Sequence, residues 1–141
     1  MLSVEQTGVM TVMTIEDLRR ASDLFYEALA AALAGEADPM LELLSSADDA
    51  SYLGPMGEVI TGSDAIRGAW EEQASTELGG RVTPFDRHYV VGGDIGVVVG
   101  WEKGELHRGM PGEVNIRATS TYRLEGGTVK MIGHHTDRLP G

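Results

Sequence analysis

VNIRATSTYRLEGGTVKMIGHHTD, residues 114–137, is the stretch whose reading decides the fold. Two alternating, β-branched runs of about ten residues flank Gly126-Gly127, the pattern of a long β-hairpin. The same stretch gathers side chains suited to chemistry: Arg117, Thr119, Thr121, His134, His135 and Asp137. On a strand, Arg117, Thr119 and Thr121 share one face, and Ile116, Ala118, Ser120, Tyr122 and Leu124 share the other. Either the apolar row faces the core and the Arg/Thr row faces water, or the reverse. A strict two-residue turn would pair Glu125 with Thr128 and put His134 on the face of Arg117. A three-residue loop or a bulge would put His135 there instead, with Asp137 beside it.

Towards the N-terminus, residues 81–91 and 95–103 read as two more strands around the Gly92-Gly93-Asp94 turn. Pro84 has no N–H to give a ladder, so the first of these is expected at a sheet edge or bulged in its first half. Ile15, Leu18, Ala21, Leu24, Phe25, Ala28, Leu29 and Ala32 recur at helical spacing between a Thr14/Asp17 cap and Gly35. Asp38-Pro39 opens a second, short helix, and Ser63-Asp64 is expected to cap a third over residues 65–77. Short strands are expected near residues 50–53 and 58–61, and residues 103–112 read as a polar connection. Helices followed by a meander give the α+β class. The expected architecture is a cone-shaped, curved antiparallel sheet of four to six strands with three N-terminal helices packed on its concave face. Residues 1–13 have no period and are assigned to a flexible N-terminal arm, residues 14–138 to a single domain.

Composition excludes several functions. With no cysteine, disulfides, thiolate metal sites and cysteine nucleophiles are ruled out. Twenty-two acidic residues against 11 Lys and Arg give a net charge of −11, which repels phosphate backbones and anionic lipid. Neither a nucleic acid nor a membrane partner is expected. Residues 1–13 lack the basic and apolar regions of a signal peptide, and a cytoplasmic location is the expectation. The four histidines, at 88, 107, 134 and 135, show neither HxH nor HxxxH spacing. No metal is expected, and the absence of nucleotide-binding glycine motifs argues against an organic cofactor.

Several phrases resemble one family. They are Phe25-Tyr26-Glu27-Ala28-Leu29 with Gly35, Asp48-Asp49-Ala50-Ser51-Tyr52, and Gly54-Pro55-Met56-Gly57 through Gly62-Ser63-Asp64-Ala65-Ile66. Arg117-Ala118-Thr119 and His134-His135-Thr136-Asp137 complete the set. Together they resemble the nuclear transport factor 2-like superfamily in its ketosteroid-isomerase-like and SnoaL-like branch, over residues 15–138. The resemblance implies a polar-lined pocket on the concave face and a homodimer through the sheet. The superfamily includes isomerases, dehydratases, cyclases, hydrolases and non-catalytic modules, so activity has to be argued from the site. A steroid-isomerase mechanism does not carry over. The position of its general-base Asp holds Gly54, and no Asp stands at the oxyanion position near Thr119 or Ser120. The matching helix position falls near Ala28, with Tyr26 half a turn away.

With the resemblance counted, the Arg/Thr row is expected to face the pocket. His135, oriented by Asp137, is expected as general acid/base, with Arg117 stabilising negative charge. Tyr52, Trp70, Trp101, Thr119, Thr121 and His134 are the expected ligand-facing residues, with Tyr26 a lesser candidate. The expected function is a small-molecule-binding protein acting as a cofactor-independent isomerase, dehydratase or cyclase. The alternative is a non-catalytic ligand-binding or dimerisation module of the same fold.

Overall fold

The structure, a computed structural model, describes residues 12–105 and 113–139. Its helices are α1 (Ile15–Leu33), α2 (Asp38–Leu43) and α3 (Ser63–Ser75). Its strands are β1 (Ser51–Leu53), β2 (Val59–Thr61), β3 (Arg81–Gly92), β4 (Ile95–Glu105), β5 (Glu113–Glu125) and β6 (Thr128–Arg138). The strands form one curved, unclosed sheet in the order β2-β1-β6-β5-β4-β3, with the helices over its inner face. All neighbours are antiparallel except β1 and β6. That parallel pair departs from the antiparallel expectation, and the crossover it needs is supplied by α3 and the strands after it. The expected arm lies outside the described residues except for Val12 and Met13. Met13 is buried, and its N–H donates to the Gly93 carbonyl at 2.8 Å. Residues 106–112 of the expected connection also lie outside the described residues.

α1 begins with a reciprocal cap: Thr14 Oγ1 accepts from the Asp17 N–H, and the Asp17 carboxylate accepts from the Thr14 N–H. Its apolar stripe, including Leu18, Phe25, Leu29 and Leu33, is buried against the sheet. The approach is close because β4 presents Gly96 on its inner face. A Cβ there would stand 2.6 Å from Met13 Sδ and 2.8 Å from a Leu18 methyl. α3 starts differently from the expected Ser63-Asp64 cap. Gly62 is its N-cap residue, and the Ser63 hydroxyl is buried and donates to the Ser45 carbonyl at 3.0 Å. Ser45 also donates to Glu125, which accepts from Arg123, and Arg123 reaches Asp49 as well. This network ties the loop before β1 to the β5–β6 hairpin.

Two irregularities decide which side chains enter the interior. The β5–β6 turn is a two-residue loop, Gly126-Gly127, with φ of 59° and 83°, conformations that favour glycine. Further along, Thr121 pairs with Gly133 while Tyr122 pairs with Met131, so Ile132 is an extra residue in β6. The bulge reverses the alternation beyond it. His134 and Thr136 turn inward, and His135 and Asp137 share the face of Arg117. β3 is an edge strand and is bulged after Phe85, where Asp86 has φ of 52°. Opposite it, a Cβ on Gly100 would lie 3.1 Å from the Asp86 carbonyl oxygen. The bulge turns Arg87 inward, and it donates to Ser22 Oγ and the Asp23 carboxylate, both at 2.9 Å.

The orientation of β5 corrects a central expectation. Ile116, Ala118, Ser120, Tyr122 and Leu124 are buried on the inner face. Arg117 and Thr119 are exposed on the outer face, and Thr121 is partly exposed there. The apolar row is buried, with Tyr122 and Leu124 in the main core, and Arg117 is not a buried cation.

Candidate functional site

The polar side chains of the interior converge from α1, β4, β5 and β6. Glu102 occupies the inner face of β4 and is 3% exposed. Tyr26, beside the buried stripe of α1, donates from Oη to Glu102 Oε2 at 2.6 Å. His134 places Nε2 3.7 Å from the same oxygen, and its Nδ1 lies 2.7 Å from Ser120 Oγ. The imidazole is held between rings. The Phe25 centroid is 4.6 Å away, and Tyr52 stacks at 6.0 Å with an 18° interplanar angle. Trp70 meets Tyr52 edge-on at 5.5 Å. Thr136 donates to the Leu53 carbonyl, fixing β1, and with it Tyr52, beside β6.

Burial sets the protonation states. It pushes the Glu102 carboxyl up to about 7, with the Tyr26 hydrogen bond opposing. It pulls the His134 imidazole down to about 3, with the charge of His135 adding. The phenol of Tyr26 is raised by burial and then by Glu102, and that of Tyr52 by burial and then by Glu58. At neutral pH the site therefore holds a half-ionised carboxyl, two protonated phenols and a neutral imidazole. Ser120 Oγ and His134 Nδ1 share a hydrogen bond, and Nε2 is the ring nitrogen on the Glu102 side. A carboxyl that exchanges its proton near pH 7 is equipped for general acid–base chemistry.

Of the residues singled out from sequence, Tyr52, Trp70 and His134 lie in this interior cluster. Arg117, His135, Asp137, Thr119 and Trp101 come together elsewhere, around an open depression of about 440 Å³ on the outer face that also includes His88 and Asp86. Thr121 lies on that face too, beside Gly133. Asp137 does not orient His135: its carboxylate accepts from Arg117 Nε at 3.2 Å and from Arg117 Nη2. That hydrogen-bonded pairing holds Asp137 below the usual carboxylate range and raises Arg117. Trp101 stacks on Phe85 with centroids 6.3 Å apart. Inside the cone, the space between Ser45, Tyr52, Trp70 and His134 is only about 10 Å³, roughly one water. No group of three or more His, Asp or Glu among the described residues is arranged to hold a metal. No described helix is long and apolar enough to cross a membrane.

Glu102 escaped the sequence reading, although a signal was present. Gly96, Val98, Gly100, Glu102 and Gly104 form one parity of β4. Three glycines on one face mark the side a helix can approach closely, and the acid among them is the anomaly.

The geometry agrees with the comparisons. A family model for the SnoaL-like domain matches residues 21–136. The chain belongs to this family. Among proteins with curated descriptions, none matches the sequence. A proposed dehydratase of the NTF2-like family from Streptomyces avermitilis superposes with a TM-score of 0.79 at 20% identity, covering 90% of this chain and 96% of that one. A proposed ketosteroid isomerase from Parabacteroides distasonis gives 0.67 at 20% identity, covering 84% of each chain. A proposed calcium/calmodulin-dependent protein kinase II association domain from Xanthomonas campestris gives 0.70 at 20% identity, covering 93% and 96%. At these identities the structural likeness establishes the fold alone.

Proposed function

We propose that the chain is a cofactor-independent acid–base enzyme of the isomerase or dehydratase type, with Glu102 as the proton-transfer group. The observation that carries this reading is the buried Glu102 carboxyl, titrating near 7, held by Tyr26 and faced by a neutral imidazole. As carboxylate, Glu102 removes a proton from carbon next to a carbonyl, and the C–H electron pair moves into the enolate. Returning the proton to another carbon isomerises the substrate. Expelling a β-hydroxyl, protonated by the Glu102 carboxylic acid and leaving as water, dehydrates it. Tyr26 keeps the carboxyl oriented, and Tyr52 and Trp70 supply ring surface. The relatives described as a dehydratase and a ketosteroid isomerase are in keeping with this class.

The test is exchange of the methyl hydrogens of 1-acetonaphthone in deuterated water. The wild type is expected to accelerate exchange over buffer, with a rate rising through pH 7 as Glu102 ionises. Glu102→Gln is expected to lower that rate by about 10²–10⁴-fold, the usual contribution of a general base. A wild-type rate equal to buffer, or an unchanged rate in the variant, would reject the reading.

A second reading, a non-catalytic binding or assembly module, is favoured by the cavity of about 10 Å³ and by the relative described as an association domain. We also infer that the outer face joins two copies of the chain. Its charges occur as matched pairs, Arg81–Glu105, Lys103–Glu113 and Arg117–Asp137, around the exposed Phe85, Val99 and Trp101. In a chain of net charge −11, such a nearly neutral, partly aromatic face is where two copies repel each other least. Sedimentation is expected to give a dimer for the wild type and a monomer for Trp101→Asp. A wild-type monomer would refute the interface.

A further inference from the structure

Leu24 belongs by spacing to the apolar stripe of α1, yet it is 48% exposed while Leu18, Phe25 and Leu29 are buried. Leu24, Glu27 and Ala28 stand at i, i+3 and i+4 and so share one face of the helix. That face borders a groove of about 630 Å³ between α1, α2 and the start of β6, larger than the depression of about 440 Å³ on the outer face. Ala28 and Leu43 are its buried apolar residues, and Leu24 and the half-buried Val129 give it apolar walls. Small-molecule sites span about 300–1,000 Å³ and combine an apolar lining with a few polar groups. None of these residues belongs to the Glu102 cluster, so the groove stands independently of the acid–base reading.

Charge selects the occupant. Glu27 and Glu42 line the groove, are exposed, and make no ion pair among the described residues. Lys130 lines it too, but its ammonium is committed to the Glu42 carbonyl at 2.5 Å. Two carboxylates against one engaged lysine leave the groove negative, on a chain of net charge −11. Such a field repels a carboxylate or phosphate ligand and attracts an ammonium. A second copy of the chain fits poorly for the same reason, since it would bring its own net negative charge against Glu27 and Glu42.

We propose that this groove binds a small amphipathic amine. The apolar body of the ligand covers Leu24, Ala28 and Leu43, and its ammonium lies at the carboxylates of Glu27 and Glu42. Covering Leu24 completes the burial that its place in the α1 stripe calls for, and the carboxylates fix the sign of the head group.

The test titrates the protein with 4-phenylbutylamine and with 4-phenylbutyrate, two probes that share one apolar body and differ in the sign of the head group. Amide NMR shifts locate each probe, and calorimetry gives its affinity. The amine is expected to shift the amides of Leu24, Ala28 and Val129, and the carboxylate to bind about tenfold more weakly. Glu27→Gln and Glu42→Gln together are expected to lower amine affinity about fivefold, the scale of exposed ion pairs. Leu24→Gln is expected to weaken both probes while leaving the sedimentation of the protein unchanged. All three side chains are exposed, so these variants keep the fold. No amine shift at millimolar concentration, shifts centred on Trp101 instead, equal affinity for the carboxylate, or unchanged affinity in the double variant overturns the proposal. An altered oligomeric state in Leu24→Gln also overturns it, because the groove would then be a contact between copies.

Discussion

Glu102→Gln is expected to stabilise the protein at pH 8 while removing the proposed chemistry. The folded carboxyl titrates near 7, against 4.5 for the free group, so the folded state holds its proton more tightly than the unfolded chain does. For such a group, stability is highest below 4.5, declines as pH rises towards 7, and is flat above. At about 1.4 kcal/mol per pH unit, the decline amounts to about 3 kcal/mol. Glutamine carries no charge and still offers Tyr26 an acceptor, so the variant escapes that loss.

His134 works in the opposite sense. Its folded value near 3 lies below the usual 6.5, so its contribution is complete above 6.5 and is lost as pH falls towards 3. Between 4.5 and 6.5 the two slopes cancel in the wild type. In Glu102→Gln only the histidine slope remains, and stability climbs from acid pH to 6.5. Urea midpoints measured from pH 4.5 to 8 should therefore diverge, with the variant ahead at the alkaline end. Parallel curves would mean that the Glu102 carboxyl titrates normally and is not the proposed acid–base group.

The second large effect is expected at Phe25. Its ring is fully buried and meets three rings of the cluster: Tyr26 at 4.9 Å, Trp70 at 6.5 Å and His134 at 4.6 Å between centroids. Phe25→Ala should cost about 3–5 kcal/mol, the usual range for deleting a buried ring, because rigid neighbours can fill the void only in part. Phe25→Leu retains most of the volume and should cost less. The alanine variant also admits water beside His134, so its imidazole should titrate closer to 6.5. Urea unfolding and an NMR titration of His134 measure both effects. A loss below about 1 kcal/mol would mean that the cluster is loosely packed.

The local elements were legible because their causes are local. Apolar spacing from Ile15 to Leu33, the Thr14/Asp17 cap and the Gly126-Gly127 turn are written in neighbouring residues, as is the edge signal of Pro84. The facing of the sheet was not. Arg117 was expected inside and lies outside, because β5 offers two self-consistent rows and the helices decide which is covered. Ser120 and His134, polar residues on the buried row, are satisfied there by each other.

The sequence by itself determined the α+β class and the family resemblance; of the rings expected near the pocket, Tyr52 and Trp70 lie inside and Trp101 lies on the outer face. Alternation and periodicity carry the class, and the quoted phrases carry the resemblance. The tertiary structure alone decided which polar groups meet in the interior. One extra residue, Ile132, exchanges the faces of His134 and His135, and Gly96 on β4 leaves room for Leu18 of α1, the helix from which Tyr26 reaches Glu102. A strand's side chains alternate with a period of two, so one inserted residue moves every later group to the other side of the sheet. The bulge falls between the pairs Thr121–Gly133 and Tyr122–Met131, inside the hairpin, and no turn or breaker residue marks it in the sequence.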